Sequence, residues 1–372
     1  MTTLWTCLLL IALGFIGVPV ANADCECGYS LNSTVFTELV ESDFTLSGNI
    51  TENTDWVVQE WEVSKEASKG PYGRNAQAKN VVSNPSVQHN VSAQGVNGDP
   101  AGLELFVRRP DDNQDYIGVA EVDSRRTDMI YGTFRAGIKT TGVNGTCGAF
   151  FWYLNDTQEI DMEFLSSQIT ANSSPINLVL HSLLTEERGG DAKNTPTFKV
   201  VSLPFAADEG FHEYRFDWQP DKVSFYVDGI WLADMTNSQY IPQSPGKIIL
   251  SHWSNGNPLW SGGPPEVDAK MTVSYVQGYF NSSLPSRHED YQKRCKGRQG
   301  SLSICPIPDQ KGAPKVGAVH FFSQQAGGDK TPNQTVYDKH LLKSLGSGLT
   351  AGRDSWVLVC SVLLASVMSL AL

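Results

Sequence analysis

The sequence predicts an all-β fold, a sandwich or a barrel built from many short strands. Three observations carry that expectation. Charged residues make up only 18% of the 372, and short clusters of Ser, Thr, Asn and Gly fill the deficit, as in turn-rich proteins. From about residue 36 to 280, short β-prone runs alternate with those clusters. Neither a helical period beyond three turns nor an internal repeat interrupts them. Hydrophobic residues at 40%, with 33 glycines, suffice for one large core and exclude wholesale disorder. The formal charge of −12, from 40 acidic and 28 basic side chains, argues against nucleic acid as a partner.

Taken in order, residues 1–23 hold no charge, run apolar from Leu8 to Val20 and close on Ala21-Asn22-Ala23, which suits signal peptidase. The mature chain is expected to begin near Asp24. No Lys or Arg precedes the apolar run, so a non-cleaved anchor is the alternative. The predicted strands include 102–107, 132–138, 176–180, 223–227 and 270–276, and Asp228-Gly229 after the fourth is a strong hairpin signal. One domain, 24–284, accommodates them. Residues 285–346 turn polar with Pro and Gly and read as a Cys-containing extension and flexible linker, a tether from about 310. Residues 356–372 are apolar and uncharged, and Gly346-Ser347-Gly348 lies upstream. Segment 347–372 therefore reads as a glycosylphosphatidylinositol-attachment propeptide, which implies a membrane partner through a lipid anchor. Its rival, a transmembrane helix, needs ~20 apolar residues and a basic flank.

Removal of both ends would take Cys7 and Cys360 and leave Cys25, Cys27, Cys147, Cys295 and Cys305. A secretory route favours disulfides over metal binding, and no CxxC or HExxH spacing supports zinc. Cys295 and Cys305 pair most readily by proximity, with connectivity left open. Eight N-x-[ST] sequons, at Asn32, Asn49, Asn90, Asn144, Asn155, Asn172, Asn281 and Asn333, fit a glycosylated surface protein.

The chemistry is expected in Glu159-Ile-Asp161-Met-Glu163. Carboxylates at i, i+2 and i+4 of a strand share one face, while Ile160 and Met162 enter the other. Neighbouring like charges raise one another's pKa, so one member can stay protonated as a general acid while another is an ionised nucleophile. Glycoside hydrolysis with retention requires that division, with carboxyls ~5–5.5 Å apart. The outer Cα atoms would stand about 13 Å apart, so the side chains must lean inward on a twisted strand. A solvated edge strand is the plain alternative, but Phe150-Phe151-Trp152-Tyr153 just upstream is too aromatic for one.

These residues resemble glycoside hydrolase family 16, which includes laminarinases, lichenases and cell-wall glucan transglycosylases. The E-x-D-x-E signature matches without the extra bulge residue. The likeness continues through Tyr131-Gly-Thr-Phe134, Phe211-His-Glu-Tyr-Arg-Phe-Asp-Trp218, Val223-Ser-Phe-Tyr-Val-Asp-Gly229, Ile248-Ile-Leu-Ser-His-Trp253 and Trp260-Ser-Gly-Gly-Pro-Pro265. The resemblance implies a concanavalin A-like β-jelly-roll sandwich of two antiparallel sheets with a concave glycan-binding cleft. It implies Glu159 as nucleophile, Glu163 as acid/base and Asp161 as the partner that tunes Glu159. It also places Trp152, Trp253 and Trp260 against sugar rings. His181 reaches the same cleft or is a hydrogen-bonded structural histidine. Arg135, Gly137 and Ser251 depart from the common family pattern, which has an acid, an Arg and an Asn there. The implied partner is β-glucan, with chitin as a further acceptor, acting on a monomer without cofactor or metal. Hydrolysis and transglycosylation share this machinery, and a non-catalytic glucan-binding lectin-like wall protein is the competing reading.

Overall fold

The computed structural model describes residues 25–88, 93–297 and 303–325. The leader, the attachment segment, Cys7, Cys360, Asn90 and Asn333 lie outside the described residues.

Two large sheets, antiparallel except for one parallel pair, face one another. One runs Ile230–Met235, Val223–Val227, His212–Trp218, Met129–Lys139, Ala269–Ser282, Gly102–Val107, Val81–Asn84, with Glu38–Asp43 also on Ala269–Ser282. The other runs Phe198–Leu203, Ser174–His181, Gln158–Leu165, Cys147–Asn155, Lys247–Trp253, Tyr116–Ser124, Gly73–Ala76, Trp61–Val63, with Trp56–Val58 also on Tyr116–Ser124. This is the expected jelly-roll sandwich. The Asp228-Gly229 turn forms with both residues at positive φ, 49° and 78°, matching the right-handed twist of its strands.

Alternation builds the core. Ile160, Met162 and Phe164 point inward from Gln158–Leu165 and meet Phe150, Leu178 and Leu250 of their own sheet and Phe134, Tyr214 and Phe216 of the other. Trp152 belongs here too, which corrects its assignment to the sugar-binding surface. It pairs with Ile160 across the strands, and antiparallel partners share a face. It is fully buried, its indole N–H donates to the Met129 carbonyl at 3.3 Å, and its ring lies 4.3 Å from that of Trp218.

Two disulfides, Cys25–Cys305 and Cys27–Cys295, replace the expected Cys295–Cys305 pair, and Cys147 is the buried free thiol. Strand Tyr29–Leu31 pairs with Cys305–Pro306, so the amino-terminal segment and the extension form one small sheet. The tether therefore does not begin at 310. Phe321 and Phe322 are buried, and Phe322 packs with Tyr29, Phe36 and Tyr279 on the outer face of the non-catalytic sheet. Apolar side chains within a Pro- and Gly-bearing segment supply the burial that composition alone hides. The composition change after Leu284 marks a helix, Pro285–Cys295, with proline in its first turn.

Candidate active site

The face of Gln158–Leu165 opposite the core carries Glu159, Asp161 and Glu163. Register is unbroken from Cys147↔Leu165 to Tyr153↔Glu159, as an E-x-D-x-E run without an inserted residue requires. On one side their partners are Tyr153, Phe151 and Ala149; on the other, His181, Val179 and Asn177. Small residues continue past Glu163, because Ala149 faces Ser251 on the next strand.

Beside them opens a cleft of 340 Å³, lined by Glu163, His181, Trp253, Trp260, Asn255 and Phe198 among others. Glu159, Asp161, Glu163, His181, Trp253 and Trp260 thus gather on one surface. Arg135 and Gly137 do not, because their strand belongs to the other sheet. Arg135 is buried there and donates to the Pro308 carbonyl at 2.8 Å, holding the extension.

Burial governs the electrostatics. It pushes Glu159 up to about 8 and Glu163 up to about 7, and raises Asp161 well above the carboxylate range, where the charges of Glu159 and Glu163 add to it. The three titrate as a set, so protons belong to the set. Asp161 is 3% exposed and hydrogen-bonds Glu159, an interaction that lowers Glu159 and raises Asp161. That is the sign expected when Asp161 keeps the proton and donates it to an ionised Glu159. Glu163 Oε1 accepts from the Cys147 thiol at 3.4 Å.

Sequence reading missed several groups on this surface. Cys147 stands between Glu163 and the Trp260 side chain, which also hydrogen-bonds the thiol. Its signal in the sequence was only its oddness among five cysteines. Arg74 lies over both Trp61, 5.4 Å away, and Trp253, 5.0 Å away, forming a cation–π ladder along the cleft. Glu121 accepts the Trp61 indole N–H at 2.9 Å, and burial raises its pKa. Its alternation with Asp123 was a fainter copy of the acidic pattern. Glu159, Asp161 and His181 offer ligand atoms within 4.8 Å of one another. The Asp161–Glu159 hydrogen bond accounts for the closeness of these two carboxyls without a cation.

The profile described as Glycosyl hydrolases family 16 matches residues 83–277 of the 372. A β-glucanase of Paenibacillus macerans is 36% identical over 138 residues, covering 36% of this chain and 52% of its own length. The Crh-like protein 3 of Botryotinia fuckeliana is 28% identical over 185 residues, 45% of this chain and 38% of that protein. The chain spans about half the length of the β-glucanases it matches. A solved β-glucanase of Bacillus licheniformis aligns with 65% of this chain and 97% of its own at 23% identity, with a TM-score of 0.48. The profile's span takes in the whole acidic strand, His181, Trp253 and Trp260, and it covers more than half of the sequence: the chain belongs to glycosyl hydrolases family 16.

Proposed function

We propose that this protein is an endo-acting, retaining glycoside hydrolase or transglycosylase that works on β-glucan through a covalent glycosyl-enzyme. One observation carries the reading: three carboxyls share one strand face beside a tryptophan-lined cleft, Asp161 buried and Glu159 and Glu163 half-buried, with desolvation retaining protons on the set near neutrality. A purely structural or lectin-like surface has no use for such carboxyls, whose desolvation is costly.

In the first step the Glu163 carboxylic acid gives its proton to the glycosidic oxygen while a Glu159 carboxylate oxygen attacks the anomeric carbon; the C–O bond to the leaving sugar breaks. Asp161 donates to Glu159 and steadies it as nucleophile and later as leaving group. In the second step the Glu163 carboxylate takes a proton from the acceptor hydroxyl, whose oxygen displaces Glu159. Water as acceptor gives hydrolysis and a sugar hydroxyl gives transglycosylation. Trp253 and Trp260 offer indole faces to the C–H faces of β-linked rings. The names of the relatives, β-glucanases and a Crh-like protein, agree with a glucan substrate.

The leader and the apolar tail support a place on the outer surface, held by a lipid attached near Gly346 or Ser347, in or facing the wall. Asn32, Asn49, Asn144, Asn155 and Asn172 are exposed, so their sequons are open to glycans. Phosphatidylinositol-specific phospholipase should release the protein. Retention under conditions that release a control anchor, with recovery of a peptide spanning Trp356, would favour a transmembrane tail.

Activity is tested by incubating the purified protein with labelled β-1,3-glucan, mixed-linkage glucan and chitin oligosaccharides and resolving products by mass. Shortened glucans support hydrolysis, and lengthened or hybrid chains support transfer. Tight glucan binding with no new product would favour the lectin reading.

A further inference from the structure

Counting hydrogen bonds around His181 fixes its tautomer. Its Nδ1 lies 3.3 Å from Thr185 Oγ1. That hydroxyl already gives its single hydrogen to the Ser182 carbonyl at 2.8 Å and accepts the Ser182 N–H at 2.9 Å. Only one lone pair remains, so His181 Nδ1 must be the donor. Burial lowers the imidazole pKa, which leaves the ring neutral with a bare lone pair on Nε2. Nε2 faces Asp161 Oδ2 at 3.8 Å, and that buried oxygen has no hydrogen-bond partner. Two lone pairs held face to face make a full negative charge on Asp161 costlier, so the arrangement favours the neutral acid over the carboxylate.

We propose that His181, locked by Thr185 as the Nδ1–H tautomer, is a positioning residue that keeps Asp161 protonated by turning its Nε2 lone pair towards Asp161 Oδ2, where it disfavours the carboxylate charge while the single Asp161 proton is given to Glu159. The inference rests on the catalytic reading above and deepens it. A protonated Asp161 cuts the negative charge on the acidic strand and supplies the donor that Glu159 needs. The other tautomer would aim an N–H at Asp161 and stabilise its carboxylate, and an ionised Asp161 would oppose ionisation of Glu159. The titratable groups facing this pair are Glu159 and Glu163 on the same strand, Asp156 in the preceding turn, Cys147 on the neighbouring strand and Lys69 across the cleft. Thr185 is fully buried and its hydroxyl holds both the N–H and the carbonyl of Ser182, so the lock is built into the start of the segment Leu183–Glu186.

Long-range proton–nitrogen NMR on the mature glycoprotein tests the lock directly. His181 should read as the neutral Nδ1–H tautomer at pH 7 to 8. An Nε2–H tautomer or an imidazolium in that range overturns the proposal. The consequence is read in the pH profile of kcat on β-glucan. Turnover needs both Asp161 and Glu163 protonated, so with Thr185→Val or His181→Ala, where Asp161 loses its proton at lower pH, the alkaline limb should move down with KM within about twofold. His181→Gln, whose amide oxygen can replace Nε2 as acceptor, should bring the limb back towards wild type. Should Thr185→Val fail to fold, the two His181 variants carry the test. A uniform loss of kcat with an unmoved limb would make His181 a merely structural residue. Absence of any glucan turnover by the wild type defeats the catalytic reading instead, while the tautomer measurement still reports on the lock.

Discussion

Two E-x-D pairs on opposite sheets, one sealed and one half-open to the cleft, meet opposite fates. Glu41-Ser42-Asp43, in Glu38–Asp43, and Glu159-Ile160-Asp161, in Gln158–Leu165, look alike in sequence, and burial raises the pKa of all four acids. Glu41 accepts from the Tyr279 hydroxyl, the Phe322 and Ser323 backbone N–H groups and the Ser323 hydroxyl, at 2.9–3.2 Å. Asp43 accepts from Thr45 and Gln324. Every one of these donors is a protein group, several from the carboxy-terminal extension. Asp161 leaves an oxygen without a partner, and Glu163 has only a thiol at 3.4 Å. Saturated acids hold a structure together; unsaturated acids beside a cleft await a substrate.

The largest expected effect separates the two pairs. Glu159→Gln and Glu163→Gln should each lower turnover of β-glucan by at least about a thousandfold while the thermal melt shows an intact fold, and Asp161→Asn should retain slight activity. Glu41→Gln should do the reverse, costing about 1–3 kcal/mol of stability with kcat per folded molecule unchanged. Wild-type turnover by either glutamate variant of the acidic strand would remove that residue from the mechanism.

The tryptophans sharpen the contrast. Trp152→Ala should cost ~3–5 kcal/mol of folding free energy, as expected for an aromatic removed from a sealed core. Trp253 and Trp260 are partly exposed on the cleft, so their alanine variants should weaken oligosaccharide binding by on the order of 1–3 kcal/mol, a figure borrowed from base stacking, with little loss of stability. Melts beside titrations of the three variants decide it. A Trp253 variant that melts early yet binds normally per folded molecule would move that residue into the core.

A third effect follows from proton linkage. Acids whose pKa is raised on folding stabilise the folded state fully below their unfolded value, and that stability is lost as pH rises through the folded value. For Glu159 the window runs from 4.5 to about 8, and for Glu163 from 4.5 to about 7. Glu159→Gln cannot ionise, so it should match wild type near pH 4 and exceed it by of order 1–3 kcal/mol at pH 8. Urea melts at both pH values measure the gap. A variant less stable than wild type at pH 8 would mean that the Glu159 charge is satisfied, as the acids beside the extension are.

Much of this architecture was legible. The Asp228-Gly229 hairpin, the strands around 102–107 and 223–227 and the shared face of the three carboxylates all follow from local chemistry and a period of two. Trp152 was misread because its face depends on register: sliding its strand by one residue against Gln158–Leu165 would exchange the core and cleft sides. Phe150 and Trp152 face inward and Phe151 and Tyr153 outward, a choice that four consecutive aromatics conceal. The disulfides join residues 280 and 268 positions apart, so proximity along the chain pointed to the wrong pair. Phe321 and Phe322 were hidden by their neighbours' composition, and Arg74 sits outside any acidic or aromatic run.

The smallest effect concerns Cys147. It lies on the cleft face beside the carboxylates, although a buried free thiol usually serves as a small core residue. Its hydrogen bond to Glu163 lowers the pKa of that acid, against the larger upward push of burial. Removing the donor should therefore raise the pKa. Glu163 must be protonated for the first step, so its ionisation shapes the alkaline limb of kcat/KM together with that of Asp161, and Cys147→Ala should move that limb to higher pH. Cys147→Ser keeps an O–H donor and should leave the limb near wild type. The expected change is a fraction of a pH unit, because a thiol is a weak donor. An infrared S–H band that shifts as Glu163 ionises, and stays still in Glu163→Gln, reports the contact without reference to turnover. An unmoved limb in Cys147→Ala together with a fixed S–H band would put this thiol with the saturated, structural half of the molecule.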